Sequence, residues 1–164
     1  MAFTLFRIDE RLLHGQVLVG WGNRLGIDYY VVVDDDLADS PWEQELYASG
    51  LTSDADAFFL SVVSATERFD ELDGLAGTGA LMTRGTAAMR LLAEDGHLEG
   101  RRINLGGLHG AESRRRALDY VCLADEEADD LVRMEPLVGR ISARDLPTAP
   151  EVPLEQLLRS IGRS

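Results

Sequence analysis

Within six residues, Asp9, Arg11 and His14 bring together a carboxylate, a guanidinium and an imidazole. A neutral imidazole can attack phosphorus through a ring-nitrogen lone pair, provided that donors take up charge on the equatorial oxygens. Arg11 offers a planar fork for those oxygens. Asp9 can accept a hydrogen bond from the ring or from Arg11 and so fix its orientation. A helix beginning directly after His14 would add the free N–H groups of Gly15 and Gln16 and the positive end of its dipole. The stretch therefore reads as a site that binds a phosphoryl group through Arg11, Gly15 and Gln16 and carries it on His14. The plainer reading makes Asp9 and Arg11 a surface ion pair worth at most ~1 kcal/mol and His14 an ordinary surface histidine. Physical chemistry alone holds the two about even.

The surrounding pattern supplies elements able to position such a site. Residues 3–8 read as a strand that delivers Asp9 to its C-terminal end, where ligands bind in α/β sheets. Residues 15–25 follow as a helix, closed by Gly26 at the C′ position. Further strands are expected at 27–33, 57–63, 79–83, 102–105, 120–123 and 138–143. The spacing of Ser40-Pro41-Trp42-Glu43 predicts a capped helix to about residue 49, and Ser64 with Glu67 predicts another to about 72. Helices over 87–94, 125–134 and 154–161 complete the alternation. The pattern predicts one domain spanning 1–164, an α/β fold with an open, mostly parallel sheet and helices on both faces.

Composition removes several classes of function. The 16 basic residues are all arginine, against 29 acids, for a net charge of −13 and a pI near 4.5. Such a surface repels nucleic acid and anionic membrane. The absence of lysine excludes a Walker A loop, a Schiff-base lysine and the lysine of a receiver domain. One cysteine, Cys122, excludes an internal disulfide and a cysteine-cluster metal site. With no long apolar run and no signal-peptide profile, a soluble cytoplasmic protein is expected.

Other residues compete less well. Arg84, at the end of the 79–83 strand, could give a second anion contact on the rim near His14, and Arg84-Gly85-Thr86 reads equally well as a glycine turn with a Thr cap. Asp34-Asp35-Asp36 could hold a divalent cation, but lining or solvated acids are the better reading. Gly106-Gly107-Leu108-His109-Gly110 reads as a turn bordering the site, His97 as a surface residue, Cys122 as a buried thiol and Arg114-Arg115-Arg116 as a solvated turn.

The run from Arg7 to Val17, followed by Gly20-Trp21, resembles the active-site signature of the IIB component of the mannose/fructose/sorbose family of the bacterial sugar phosphotransferase system. Residues 31–36 and Ile103-Asn104-Leu105-Gly106-Gly107 are similar to the family pattern as well, and the likeness covers nearly the whole chain. The segment His109 to Ala117 departs from it. The resemblance implies a protein-N(pi)-phosphohistidine–sugar phosphotransferase, in which His14 takes a phosphoryl group from a IIA phosphohistidine, on Nδ1, with Asp9 and Arg11 in support. It implies the phosphorylated IIA protein, membrane IIC and IID components and a sugar as partners, with no cofactor. The protein would then sit peripherally on a membrane transporter when assembled. A homo-oligomer stays open. The alternative within the same likeness is a regulatory or binding module in which phosphorylated His14 signals to a protein partner.

Overall fold

Short apolar runs ended by Asp, Gly, Ser or Arg set the frame, and a computed structural model of the chain describes residues 1–163. β1 (Phe3–Ile8) leads to a π-helical turn, Gln16–Trp21, that continues into α1 (Gly22–Leu25). Then come β2 (Tyr29–Val33), α2 (Asp35–Ala38), α3 (Pro41–Ala48), β3 (Asp56–Leu60), α4 (Val62–Glu67) and α5 (Phe69–Asp73). β4 (Gly79–Thr83), α6 (Thr86–Glu94) and β5 (Arg102–Leu105) follow. β6 (Arg115–Leu118) and β7 (Val121–Leu123) precede α7 (Asp125–Met134), a 3-10 turn at Glu135–Leu137, β8 (Arg140–Ala143), β9 (Val152–Pro153) and α8 (Leu154–Ser160).

The seven-stranded sheet runs β3-β2-β4-β1-β5-β8-β9, parallel throughout except for β9 against β8. Its register aligns the strands' last residues. Leu60 pairs with Val33, Val33 with Thr83, Thr83 with Ile8, Ile8 with Leu105 and Leu105 with Ala143. The next residue along each strand is therefore Ser61, Asp34, Arg84, Asp9, Gly106 or Arg144, and these make one continuous rim.

Both faces are covered. One core includes Phe69, Leu72, Met89, Leu92, Leu131 and Leu157 from α5 to α8, packed on Phe3, Phe6 and Ile8 of β1 and their neighbours. The other packs Leu12, Leu13, Val17 and Trp21 on Leu5, Tyr30, Val32 and Met82. After β1 the chain turns to this second face, whereas the segment after β5 packs Leu108, Val121 and Leu123 into the first. Between β1 and β5 the connections part, and such a parting opens a crevice at the strand ends. No helix among the described residues is long and apolar enough to cross a membrane.

Several expected elements differ. The 15–25 helix is real but begins as a π turn, with Gly26 in the left-handed conformation at φ 64° as its C-cap. The 57–63 strand ends at Leu60, because Ser61 leaves the strand and caps α4 by accepting the Ser64 N–H at 3.1 Å. Ser64 is thus the amide donor and not the cap. Ser40 precedes α3 without any side-chain capping bond. The 120–123 strand is not part of the large sheet; it pairs antiparallel with β6, which carries Arg115 and Arg116 and has no apolar alternation to announce it.

Candidate functional site

Two residues of β1's end determine the rest. Strand alternation puts Arg7 and Asp9 on the same side, and both side chains are fully buried with Arg7 Nη2 3.1 Å from Asp9 Oδ2. Arg7 fills the base of the crevice. Its Nη1 donates to Asn104 Oδ1 and, at 3.0 Å, to the Arg144 carbonyl; Nη2 also donates to the Asp145 carbonyl at 3.2 Å. Its guanidinium carbon lies 5.2 Å from the Trp21 ring centroid, a cation–π contact. Burial lowers the Arg7 pKa, and the charge and hydrogen bond of Asp9 oppose that shift.

Asp9 is the hub. Its Oδ1 accepts the Arg11 backbone N–H at 3.0 Å, and Oδ2 lies 3.1 Å from His14 Nε2. Burial pushes the Asp9 pKa up, but the His14 hydrogen bond, the Arg7 charge and the amides of Arg11 and Gly107 outweigh it. The carboxyl is held well below its ordinary range. A carboxylate at Nε2 keeps the ring proton there and turns the lone pair of the neutral ring to Nδ1. His14 is 17% exposed, so the ring is sheltered yet reachable.

The loop that returns His14 to Asp9 is tightly wound. Leu12 N–H donates to the Asp9 carbonyl at 3.0 Å, and His14 N–H to the Leu12 carbonyl at 3.1 Å. Leu12 has φ 52°, among the described residues the one non-glycine with positive φ. That conformation costs a leucine ~1–2 kcal/mol, and its fully buried side chain holds the turn in place. Gly106 is needed for the opposite wall: a Cβ there would lie 2.6 Å from Asp9 Oδ2 and closer still to the Arg7 guanidinium.

Of the residues singled out from the sequence, Asp9, Arg11, His14 and Gln16 come together. Arg11 Nη2 donates to Gln16 Oε1 at 2.8 Å and its Nε stands 3.6 Å from Asp9 Oδ1, with much of the side chain in solvent. Gly15 opens the π turn in αR conformation, and a Cβ added there would meet nothing within 4 Å, so the space beside it is open. The first amides of a helical turn lack intrahelical acceptors, and those of Gly15 and Gln16 lie at the start of the turn that follows His14. Arg84 stands next to Asp9 on the rim by register, but its ion-pair partner is Asp34, at 3.9 Å. The Asp34-Asp35-Asp36 run serves backbone amides: Asp34 caps α2 through Leu37 N–H, and Asp35 accepts from Val62 N–H at 2.8 Å.

No role of their own is legible for Arg7 and Glu10, within the run from Arg7 to Val17, or for Gly106 and His109, within the turn read as bordering the site. The signal for Arg7 was its place two residues before Asp9 in an otherwise apolar strand. For Glu10 and His109, 99 residues apart, no local pattern could have given it.

An open parallel sheet with a carboxylate-anchored imidazole and a guanidinium at its central strand ends defines an α/β protein whose site lies in the crevice at the strands' carboxyl ends. Residues 3–163 match the family described as PTS system sorbose subfamily IIB component, and the chain belongs to that family. It is 28% identical over 145 residues to the N-acetylgalactosamine-specific phosphotransferase enzyme IIB component 1 of Escherichia coli, covering 87% of this chain and 90% of that protein. It is 26% identical over 161 residues to the PTS system fructose-specific EIIB component of Bacillus subtilis, covering 98% of each. The crystal structure of the IIBSor domain of the sorbose permease from Klebsiella pneumoniae shares the fold, with a TM-score of 0.85, 19% identity and 96% of each chain covered.

Proposed function

We propose that the chain is a phosphocarrier of sugar uptake, taking a phosphoryl group from a IIA phosphohistidine on His14 Nδ1 and passing it to a sugar. The observation that carries this reading is the 3.1 Å contact between Asp9 Oδ2 and His14 Nε2. A carboxylate at Nε2 favours the tautomer whose lone pair is on Nδ1, the nitrogen that would attack phosphorus. In the transfer, the Nδ1 lone pair forms the new N–P bond while the donor's N–P bond breaks and its pair returns to the donor ring. The ring then bears positive charge, which the Asp9 carboxylate offsets. Arg11, freed from Gln16, and the amides of Gly15 and Gln16 would hold the phosphoryl oxygens, and Arg84 could approach from the neighbouring strand end. Sugar-specific IIB relatives matched along most of their length support this assignment.

As an enzyme, the protein would be the IIB part of a phosphohistidine–sugar phosphotransferase, working on the cytoplasmic side of membrane IIC and IID components. Incubation with phosphoenolpyruvate, enzyme I, HPr and a IIA protein should load an acid-labile phosphoryl group on His14. Membranes holding the IIC and IID proteins should then release it as sugar phosphate, and His14→Ala should yield no sugar phosphate. A wild-type chain carrying no phosphoryl group at position 14 would overturn the reading.

A further inference from the structure

The rim holds a second imidazole arranged like the first. Glu10 Oε1 lies 2.6 Å from His109 Nδ1 and accepts the His109 backbone N–H at 2.6 Å. Glu10 Oε2 lies 3.0 Å from Arg114 Nη1. Two consecutive carboxylates thus each hold an imidazole nitrogen, at least one backbone amide and at least one arginine. Asp9 holds His14 Nε2, the Arg11 amide and Arg7; Glu10 holds His109 Nδ1, the His109 amide and Arg114.

The second set is as well braced as a functional group needs. Arg114 Nε and Nη2 contact both Glu127 carboxylate oxygens at 2.9 and 2.8 Å, and Nη1 also donates to the His109 carbonyl at 2.6 Å. Glu127 in turn accepts the Ala124 N–H at the start of α7, at 2.9 Å. Burial pushes the Glu10 pKa up, but hydrogen bonds from His109 and Arg114 outweigh it and keep the group a carboxylate. With its proton held on Nδ1, the neutral His109 ring has its lone pair on Nε2, the mirror of His14. The side chain is 47% exposed. It also borders Arg11: a Cβ added to Gly107 would lie 2.8 Å from His109 Cε1 and 3.2 Å from Arg11 Nε and Nη2.

We propose that His109 is a second phosphoryl acceptor of this chain, taking the group on Nε2. The proposal rests on the reading of this rim as a phosphoryl-transfer site. The Nε2 lone pair forms an N–P bond as the N–P bond of a phosphoimidazole donor breaks, and the donor ring regains the bonding pair. The Nδ1 proton stays between ring and Glu10, whose charge offsets that of the phosphorylated ring. Arg11, which shares Asp9 with His14 and flanks Gly107 together with His109, would meet the phosphoryl oxygens. The donor is the phosphohistidine of the upstream protein or His14 itself.

The test is site mapping by fragmentation mass spectrometry, with phosphorus NMR to tell the two ring isomers apart. Wild-type, His14→Ala, His14→Ala/His109→Ala and His14→Ala/Glu10→Gln chains are each incubated with phosphoenolpyruvate, enzyme I, HPr and a IIA protein. The expected result is an Nε2-phosphohistidine at 109 in His14→Ala, absent from the double histidine variant. Loading should be about tenfold slower with Glu10→Gln, the effect of one charge-assisted hydrogen bond. Phosphate on both histidines of the wild type, with His14→Ala empty, supports the proposal and makes His14 the donor. Phosphate on His14 alone in the wild type, with His14→Ala empty, overturns it and leaves the phosphocarrier reading intact. Failure of that reading would instead show as an unloaded position 14.

Discussion

Arg7 and Asp9 have no contact with solvent, so each is tolerable only because of the other. Two buried charges gain little net stability as a pair, yet removal of one leaves the other stranded at a cost of ~3–5 kcal/mol. Arg7→Ala also strips donors from Asn104 and from the carbonyls of Arg144 and Asp145. It should lower the unfolding free energy measured in urea by about that amount, and a loss below ~1 kcal/mol would mean the pair behaves as a surface one. The same pair carries a pH signature. Asp9 titrates lower in the folded chain than in the unfolded one, so its contribution is fully present above the ordinary aspartate value of ~3.9. It is lost as pH falls from there through the folded value. Urea unfolding followed from pH 6 down to pH 2 should therefore show a steeper acid loss in the wild type than in Asp9→Asn. Parallel curves would remove Asp9 from the acid response.

At the scale of elements, the helix caps separate what composition suggests from what the backbone adopts. Ser40 and Ser64 both stand in capping-box spacing, but Ser61 makes the bond to the α4 amide. Ser61→Ala should cost ~1 kcal/mol, whereas Ser40→Ala and Ser64→Ala should leave thermal stability nearly unchanged. Equal losses at Ser61 and Ser64 would place the cap at both. Elements with a strong local signature were legible in the sequence: β4 as an unbroken apolar run, and α7 from its opening Asp125-Glu126-Glu127 to Met134. The π turn was not, because one extra residue per turn cannot be read from a six-residue stretch crowded with glycine. Nor was β6, whose Arg115 and Arg116 pair with Leu123 and Cys122; a charged edge strand is set by its partner and not by its own alternation. The Asp9, Arg11 and His14 cluster was readable because it lies within one loop. Its buried support was legible only as the 103–107 stretch and a turn bordering the site, since Asn104, Gly106, Arg144 and Asp145 reach it through the register of β1, β5 and β8.

Across the whole molecule the charge is uneven. The net charge is −13, yet on the second sheet face, beyond the apolar core over β1, β2 and β4, the structure clusters arginines. Arg102, Arg140 and Arg144 stand there, with Glu151 bonded to the last two at 3.1 and 3.4 Å. Elsewhere the acids repel one another at a distance, which strains the compact state in proportion to the excess charge. Local pairs such as Arg68 with Glu71 are exposed and worth little each, while the Arg7–Asp9 pair is shielded from salt by burial. Screening by salt, with a Debye length of ~3 Å at 1 M, should therefore relieve more repulsion than it removes attraction. Thermal unfolding at pH 7 should shift to higher temperature as sodium chloride rises from low millimolar to about half molar. The opposite shift would mean that the surface ion pairs together outweigh the long-range repulsion. In that case the arginines would be the main electrostatic support of the fold and not a local exception to its acidity.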